Sequence, residues 1–561
     1  MPVADDYLFL SHLAFESPLD FFSPMGAAYY WRPVSRQLYF MLVGPWLLRA
    51  PWLASLLAAL LLLALYAVLY RLARRRFDAP VAAALACFPL LAEPARIFLV
   101  WPSAAQHLLG ALFAALAIER AAAGSLFTSS AAALLALLSN EAAFVVLPAL
   151  PFVTWFRTRS GGKLARWSAG TLAVAALWGA GYAVARTHGA GLPPGAGAGL
   201  HAGPLWAVLV QAFVSQLGYE GLAPALRSPL LALCGLLAVA ALALSLRVEA
   251  RRRIVRTAPA LLGGLVWFAA GVTPLALLLP DWNAWRTTVA SLGLGFSLTG
   301  WLALVSPPLA GTLVALRLAA LLFAHPAPAV VTGEPVPTVS GLSLAQITRL
   351  QRVVESTRRE LIPVIATLPP GGVVRYWQMP FLAEVGFSGD DALHVWARDT
   401  TLAWRRFGGA GGRYGRTDAL VEYELTRAWP AVRITPEARR LYFAAYDATL
   451  SQQSAVADSC LEAARRAQHQ DAPAFFGILA QNQAQIAIAR HQYARCESLN
   501  QVALQFGGET STYWSVAALL AVLHGDLPSA RKDIRRCLAL DPRDPDGLRL
   551  ARDLGIAPQD P

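Results

Sequence analysis

Charge is what this chain has least of: 15% of its 561 residues are Asp, Glu, Lys or Arg, against about a quarter in soluble globular proteins. With 56% hydrophobic residues and a mean hydropathy of +0.46, that shortage excludes a single soluble core and indicates a polytopic membrane protein. Cysteine is scarce too. Cys87 and Cys234 fall inside apolar runs, while Cys460, Cys496 and Cys537 are scattered through the tail, and no CxxC or Cys/His metal spacing occurs. This excludes a zinc site and a disulfide framework, leaving room for one disulfide in the tail. Acids are outnumbered by bases, 35 to 47. Much of the basic excess lies in short clusters between apolar runs, where membrane insertion accounts for it, so nucleic acid is not an expected partner.

The apolar runs stop near Ala324, and the rest of the chain is rich in Arg, Asp, Glu and Gln. Leu38 to Leu48 reads as an interfacial helix, and Trp52 to Tyr70 as the first span, ending in Arg71, Arg74, Arg75 and Arg76. Ala79 to Leu91 and Ile97 to Ile118 form a pair hinged at Glu93-Pro94-Ala95-Arg96; Leu126 to Ser139 and Ala142 to Phe156 form another hinged at Asn140-Glu141. A second basic cluster, Arg157, Arg159, Lys163 and Arg166, precedes Trp167 to Ala185 and a Gly/Pro-rich loop, His188 to Pro204. Leu205 to Leu217, short enough to be re-entrant, and Leu230 to Leu246 lead to a third cluster, Arg247, Arg251, Arg252, Arg253 and Arg256. Ala258 to Leu279, Thr287 to Val305 and Leu309 to Phe323 complete the series, with a turn at Asp281-Trp282-Asn283-Ala284-Trp285-Arg286. About ten crossings put all three arginine clusters in the cytoplasm and both the N-terminal stretch and the tail outside.

The expected fold class is therefore mainly α. Residues 1–51 form an extracytoplasmic opening, 52–325 a polytopic helical membrane domain, 326–434 a linker and small mixed α/β module, and 435–561 a helical repeat region. Pro326 to Pro337 is the linker. Leu344 to Leu361 has helical periodicity and closes at Pro363, whereas Val373 to Trp377 and Leu393 to Trp396 read as short strands. From about Thr435 strands vanish. Phe476 to Phe506, with Ala480, Ala484, Ala487, Tyr493 and Ala494, parallels Tyr513 to Pro542, with Ala517, Ala518, Gly525-Asp526 and Ala530. Small residues at helix contacts, a Gly-Asp turn and a closing Pro resemble the tetratricopeptide (TPR) repeat, whose period is about 34. Two repeats fall short of the roughly three a solenoid needs, so Leu441 to Arg466 is expected to add a helix pair.

The polar opening carries the candidate chemistry. Asp5 and Asp6 are adjacent, so one side chain can face a ligand or cation while the other caps the helix beginning near Tyr7 or orients its neighbour. As acids outside the membrane, both are expected to contribute little to stability. Arg32, Arg36, Arg96 and Arg286 fall at outer span boundaries, where a guanidinium either clamps a phosphate by paired hydrogen bonds or snorkels to the interface. Glu141, between two apolar runs, is costly unless paired or facing a wet cavity. His107, inside a span, is either a hydrogen-bonded core histidine or a catalytic one.

Taken in order, these segments resemble the integral-membrane glycosyltransferases of the C fold (GT-C), most closely the tetratricopeptide-bearing O-mannosyltransferase-like proteins. Asp5-Asp6 is similar to that fold's acidic motif, and Tyr30-Trp31-Arg32-Pro33-Val34-Ser35 to its Tyr-Arg-Pro-Leu-Thr segment. Glu93-Pro94 through Trp101-Pro102-Ser103 to His107-Leu108-Leu109 resembles its His-Pro…Trp-Ile-Ser-Gly-Arg-Thr-Asp-Leu-Leu. Leu138-Ser139-Asn140-Glu141 before Pro148 resembles its Leu-Ser-Lys-Glu…Pro, and Arg286 through Ser291-Leu292-Gly293 its Arg-Tyr-Leu-Tyr-Leu-Pro-Ser-Leu-Gly. Ala105 stands where the family has Arg, His107 where it has Asp and Asn140 where it has Lys, departures that bear on sugar and acceptor more than on fold. The resemblance implies an inverting enzyme that moves a sugar from a polyprenyl-phosphate donor to a protein or glycan acceptor, on the extracytoplasmic face of a bacterial inner membrane. It further implies Asp5 or Asp6 as the base or as ligand of a divalent cation, Mg or Mn, with Arg32, Arg96, His107, Glu141 and Arg286 at the substrates.

The rival reading is a non-catalytic membrane scaffold whose TPR-like tail binds a periplasmic partner. Acids turned to bulk solvent favour the scaffold; acids converging with Arg32, Glu141 or Arg286 at an outer cavity favour the enzyme. A transporter is disfavoured, because no matching halves with Gly/Pro-broken segments occur. The resembled fold has a membrane helix just before its acidic pair, whereas this sequence opens Met1-Pro2-Val3 without a basic n-region or apolar core. A start upstream of Met1 is the expectation, the alternative being that Trp52 to Tyr70 inserts with its N-terminus outside.

Overall fold

A computed structural model describes residues 1–26, 30–190, 202–219, 222, 224–278, 284–323, 344–366, 368–377, 385–406, 419–423, 431–468, 472–506, 511–541 and 544–556. Tyr29, most of the Gly/Pro-rich loop, the turn residues Asp281 to Asn283, the Pro326 to Pro337 linker and Pro542 lie outside the described residues. The described chain is mainly helical. It divides into two compact units, Met1–Gln351 with Val385–Val395, and Arg352–Glu384 with Trp396–Pro561.

In the first unit, five helices are long and apolar enough to cross a membrane: Trp52–Arg74, Gly161–Thr187, Ala225–Ser245, Val248–Leu275 and Ala284–Val305. Leu126–Ser139, Leu205–Gln216 and Pro307–Phe323 are apolar but shorter. Trp52–Arg74 shows how such a helix is specified. Ala54, Ala58, Leu62, Leu65 and Val68 recur at helical spacing and are buried, while Leu56, Leu60 and Leu63 are exposed, the apolar outer face that a lipid-facing helix presents. Burial sorts the helices: 67% of the most apolar stretch of Ala284–Val305 is buried against 6% for Ala225–Ser245. The first is thus central and the second peripheral. Val248–Leu278 lies against Thr288–Val305 through small residues; a Cβ on Gly264 would sit 2.6 Å from the Gly293 carbonyl. Side chains then bond across the seam, Trp267 Nε1 to the Val289 carbonyl at 2.8 Å and Ser297 Oγ to that of Leu261 at 2.6 Å.

The expected span from Ile97 to Ile118 is instead two helices, Glu93–Val100 and Ala105–Ala123, separated by an extended Trp101 (φ −119°, ψ 101°) and the turn Pro102–Ala104. Pro102 has no N–H to donate and drives the residue before it out of the helical region, which breaks an otherwise apolar run. Ala79 to Leu91 is likewise divided, into Ala79–Ala86 and a short turn at Phe88–Leu91. The hinge at Asn140 is present. Asn140 is extended and its side chain accepts from Ala142 N, starting Glu141–Val145 and then Val146–Thr158.

The first unit reaches beyond the composition change near residue 325. Gln351 Nε2 donates to the carbonyls of Met1 (2.5 Å) and Val100 (2.6 Å), and Ala4 N donates to that of Gly386 (2.8 Å). These bonds tie segments of the expected tail to the N-terminal stretch.

In the second unit, β1 (Val373–Trp377) pairs in parallel with β2 (Ala403–Arg406) and β3 (Ala419–Tyr423), and β3 pairs antiparallel with β4 (Ala431–Arg433), giving the order β2-β1-β3-β4. Leu393 to Trp396, expected as a strand, lies instead in the helix Asp391–Ala397, which belongs to the first unit through Val395. Asp391 in its first turn favours the helix N-terminus, a signal stronger than a four-residue alternation. The helix from Leu344 runs to Ile365, past Pro363, because a proline in the final turn removes only one ladder bond. After Thr435, which caps the next helix, the fold is helical: Pro436–Leu450 with Ser454–Ala467, Pro473–Ala489 with Tyr493–Phe506, Ser511–Leu523 with Leu527–Leu540, then Pro545–Asp553. Ala480, Ala484, Ala487, Ala503, Ala518 and Ala530 are fully buried, so small residues let these helices approach. All five cysteines are free, which removes the tail disulfide.

Candidate functional site

The site is built where the N-terminal helix, Asp5–Phe15, meets the proline break. Ala4, at φ 52° and ψ −125°, turns the chain into that helix. Strain of this kind costs about 1–3 kcal/mol and persists where surrounding contacts impose it. Here those contacts are Ala4 N to Gly386 O and Val3 N to Asp6 Oδ2 (2.9 Å).

The two acids have separate jobs. Asp6 is fully buried; its Oδ1 accepts from Ser103 N (2.7 Å) and Ser103 Oγ (2.5 Å), so it pins the helix to the break. Trp101 Nε1 donates to the Val3 carbonyl at 3.3 Å and completes the joint. Asp5 faces elsewhere. It is exposed, although enough protein surrounds its carboxyl to disfavour the charged form, and the charges of Arg36, Arg32 and Arg286, in that order of strength, act on it. Among the described residues no hydrogen bond or ion pair within 4 Å reaches its carboxylate.

The arginines come from distant segments. Arg32 is buried; its Nε bonds Glu141 Oε2 at 2.6 Å, Nη2 bonds Glu141 Oε1, and Nη1 bonds Gln106 Oε1 at 2.5 Å. This two-pronged pairing answers the cost of a carboxylate between apolar runs. Glu141 keeps 37% of its side-chain surface open against 6% for Arg32, so the acid is the open partner and the guanidinium the buried one. Arg36 lies behind Asp5, donating from Nη1 to the carbonyls of Pro24 and Tyr30 (3.0 Å each), with its guanidinium 5.0 Å from the Phe9 ring centre. Arg286 rides on the turn Ala284–Thr287, anchored by the edge-on contact of Trp285 with Trp101 at 5.1 Å.

His107 is buried, and its Nδ1 lies 2.9 Å from Asn140 Nδ2. Because Asn140 Oδ1 is occupied by Ala142 N, the amide nitrogen faces the ring and donates; the neutral imidazole therefore carries its proton on Nε2. The charges of Arg32, Arg286 and Arg36 all bear on His107, which places it in the same charged cluster. Arg96 is not brought there. It pairs with Glu93, one turn away on its own helix, at 3.5 Å.

Burial pushes the Asp6 carboxyl up to about 7, with the Ser103 hydroxyl and the Val3 and Ser103 amides pulling it down. Asp5 is raised above the ordinary carboxylate range by desolvation, against the lowering pull of Arg36, Arg32 and Arg286. Burial, then the repulsion of Arg32, brings Arg36 down to about 9.

Among the described residues no group of three His, Cys, Asp or Glu side chains comes together. The cluster's carboxylates do not fit Mg or Mn: Asp6 is filled by three hydrogen-bond donors, Glu141 is bridged by Arg32, and the remaining carboxylate, Asp5, lies in the field of three guanidiniums, which repel a cation. Gln106, which holds Arg32, is a neighbour that residue type alone did not single out. The signal that could have found Gln106 is its place in Ser103-Ala104-Ala105-Gln106-His107, a polar patch within an apolar run. No protein-family model matches the chain, and no curated protein matches it in sequence.

Proposed function

We propose that the chain is an inverting membrane glycosyltransferase that moves a sugar from a polyprenyl-phosphate donor to an acceptor hydroxyl at the extracytoplasmic face. One observation carries the reading. Asp5, Arg32, Arg36, Glu141 and Arg286, contributed by four separate segments, form one charged cluster in which the three guanidiniums act on Asp5 and Arg32 pairs with Glu141, as an acid/base centre with its anion clamp requires.

In this reading Asp5 takes the proton of the acceptor hydroxyl while that oxygen attacks the anomeric carbon of the sugar. The bond from that carbon to the phosphate oxygen breaks, its electron pair leaves with the polyprenyl phosphate, and the configuration inverts. Arg286, half-buried, meets the phosphate; Arg32 and Arg36, tied down by hydrogen bonds, act as fixed charges that need no reorganisation. Glu141 orients Arg32, and Asp6 positions Asp5 by holding the helix start on Ser103. The arginines thus take the role the cation was expected to fill.

The surrounding architecture in this reading is a GT-C-like bundle of about ten spans, the five long helices and the three shorter apolar ones counted together with Ala105–Ala123 and Val146–Thr158. Its arginine clusters face the cytoplasm of a bacterial inner membrane. The helix pairs after Thr435 are TPR-like, extracytoplasmic, and offer a surface for a protein or glycan acceptor or a partner protein. The test is an assay of the purified protein with a panel of radiolabelled polyprenyl-phosphate sugars and a peptide or glycan acceptor. Transfer from at least one donor is expected; an inert protein across the panel, with the donors bound or not, leaves the scaffold reading.

A further inference from the structure

A cavity of about 350 Å³ opens in the first unit between helices that include Trp52–Arg74, Ala105–Ala123, Val146–Thr158 and Val248–Leu278. Its walls are apolar and aromatic, among them Phe88, Phe152, Trp267 and Phe296, and its polar lining includes Arg75, Arg76, Arg159 and Arg256. These arginines belong to three clusters far apart in sequence. One of them is occupied: Arg75 Nη2 bonds Glu119 Oε1 at 2.7 Å, and the same acid holds Arg120 at 2.6 Å. Arg76, Arg159 and Arg256 are exposed and have no carboxylate within 4 Å among the described residues. Arg159 takes the left-handed conformation, φ 50°, which lays its guanidinium 4.7 Å from the ring centres of both Trp155 and Phe156.

This cavity is distinct from the charged cluster around Asp5. The two adjoin opposite ends of the helix Ala105–Ala123: Gln106 and His107 belong to the cluster, while Ala122 lines the cavity and its carbonyl accepts from Arg157 Nη1 at 2.9 Å. Fifteen residues of rise between His107 and Ala122 separate them by about 22 Å.

We propose that the cavity binds one anionic lipid, its phosphate head group on Arg76, Arg159 and Arg256 and its hydrocarbon chain between the aromatic walls. The charge pattern selects the head group. Three uncompensated guanidiniums match a net negative phosphate and disfavour a zwitterionic one, whose ammonium they repel. The walls select a lipid over a soluble phosphate, because aromatic surface of this extent is costly to leave in contact with water. The inference stands apart from the glycosyltransferase reading.

The test is native mass spectrometry of the full-length protein in a neutral detergent, titrated with phosphatidylglycerol, phosphatidylcholine or glycerol 3-phosphate. One phosphatidylglycerol is retained at least tenfold more tightly than phosphatidylcholine. The triple variant Arg76→Gln/Arg159→Gln/Arg256→Gln loses that preference. Its remaining cluster arginines keep the insertion bias, and exposed glutamines leave the fold intact, which gel filtration checks. Ala260→Leu, which narrows the cavity without touching charge, also weakens retention. Equal retention of the two lipids overturns the proposal, as does unchanged retention in the triple variant. So does displacement of the lipid by equimolar glycerol 3-phosphate, which marks a site for free phosphate.

Discussion

Replacing Asp6 by Asn keeps the volume of the side chain and reverses part of its hydrogen-bond chemistry. At pH 5 the wild-type carboxyl, with its pKa pushed up to about 7, is protonated. Its hydroxyl then donates to Ser103 Oγ while its oxygens still accept the amides of Ser103 and Val3, 2.7 and 2.9 Å away. An asparagine amide must set its own N–H against one of those two amides, whichever way it is flipped. Stranding one buried donor costs about 1–3 kcal/mol, so Asp6→Asn is expected to lose about 2 kcal/mol at pH 5, roughly thirtyfold in the folding equilibrium. The pH dependence has a definite sign. A folded-state pKa raised above the unfolded value of 3.8 gives stability that is complete below about 4 and lost as pH rises through about 7. The variant lacks that loss, and its penalty shrinks toward pH 8. Unfolding of the purified protein by SDS titration at the two pH values measures both, with Asp5→Asn beside it as the near-neutral control. A penalty that grows with pH would refute the reasoning, since it means the three donors outweigh burial and the carboxylate is ionised. So would an Asp6→Asn protein as stable as wild type at pH 5.

Arg32→Lys keeps the charge and loses the fork that grips Glu141 and Gln106, so transfer is expected to fall about tenfold to a hundredfold; unchanged turnover would mean that charge alone suffices. The pH profile of transfer should have its acidic limb above the ordinary Asp value of 3.8, because Asp5 must be ionised to accept a proton and its pKa is raised; a limb at or below 3.8 contradicts the assignment. A chelator such as EDTA should leave transfer unchanged, since arginines hold the leaving phosphate. Loss restored by Mg or Mn would return a cation to the site.

How much of this was legible depended on range. Trp52–Arg74 could be read because its apolar residues recur at helical spacing and arginines close it, both local signals. The acidic pair could be singled out but not divided: that Asp6 is buried and Asp5 open depends on the break at Pro102, ninety-odd residues away in sequence and hidden in a run that looks continuous. Expecting both acids to matter little for stability failed for the same reason. The pairing of Arg96 with Glu93 was legible at i, i+3 spacing and argued against a donor clamp from the start. Arg32 with Glu141 and Gln106 was not, because a tertiary ion pair leaves no periodic mark. Leu393 to Trp396 misled because four residues cannot separate a strand from a buried helix, and Asp391 in the first turn was the better signal.

The most direct measurement is single-turnover transfer by Asp5→Asn, using whichever polyprenyl-phosphate sugar the wild-type protein accepts, with donor affinity measured on the same preparation. Asp5 makes no hydrogen bond or close ion pair among the described residues, so the variant should fold and bind donor as wild type does. Its rate should fall about a hundredfold or more, the contribution of a positioned general base. A variant that folds, binds donor and transfers at the wild-type rate would contradict the assignment of Asp5 as the base, and with it the reading of the charged cluster as an active site.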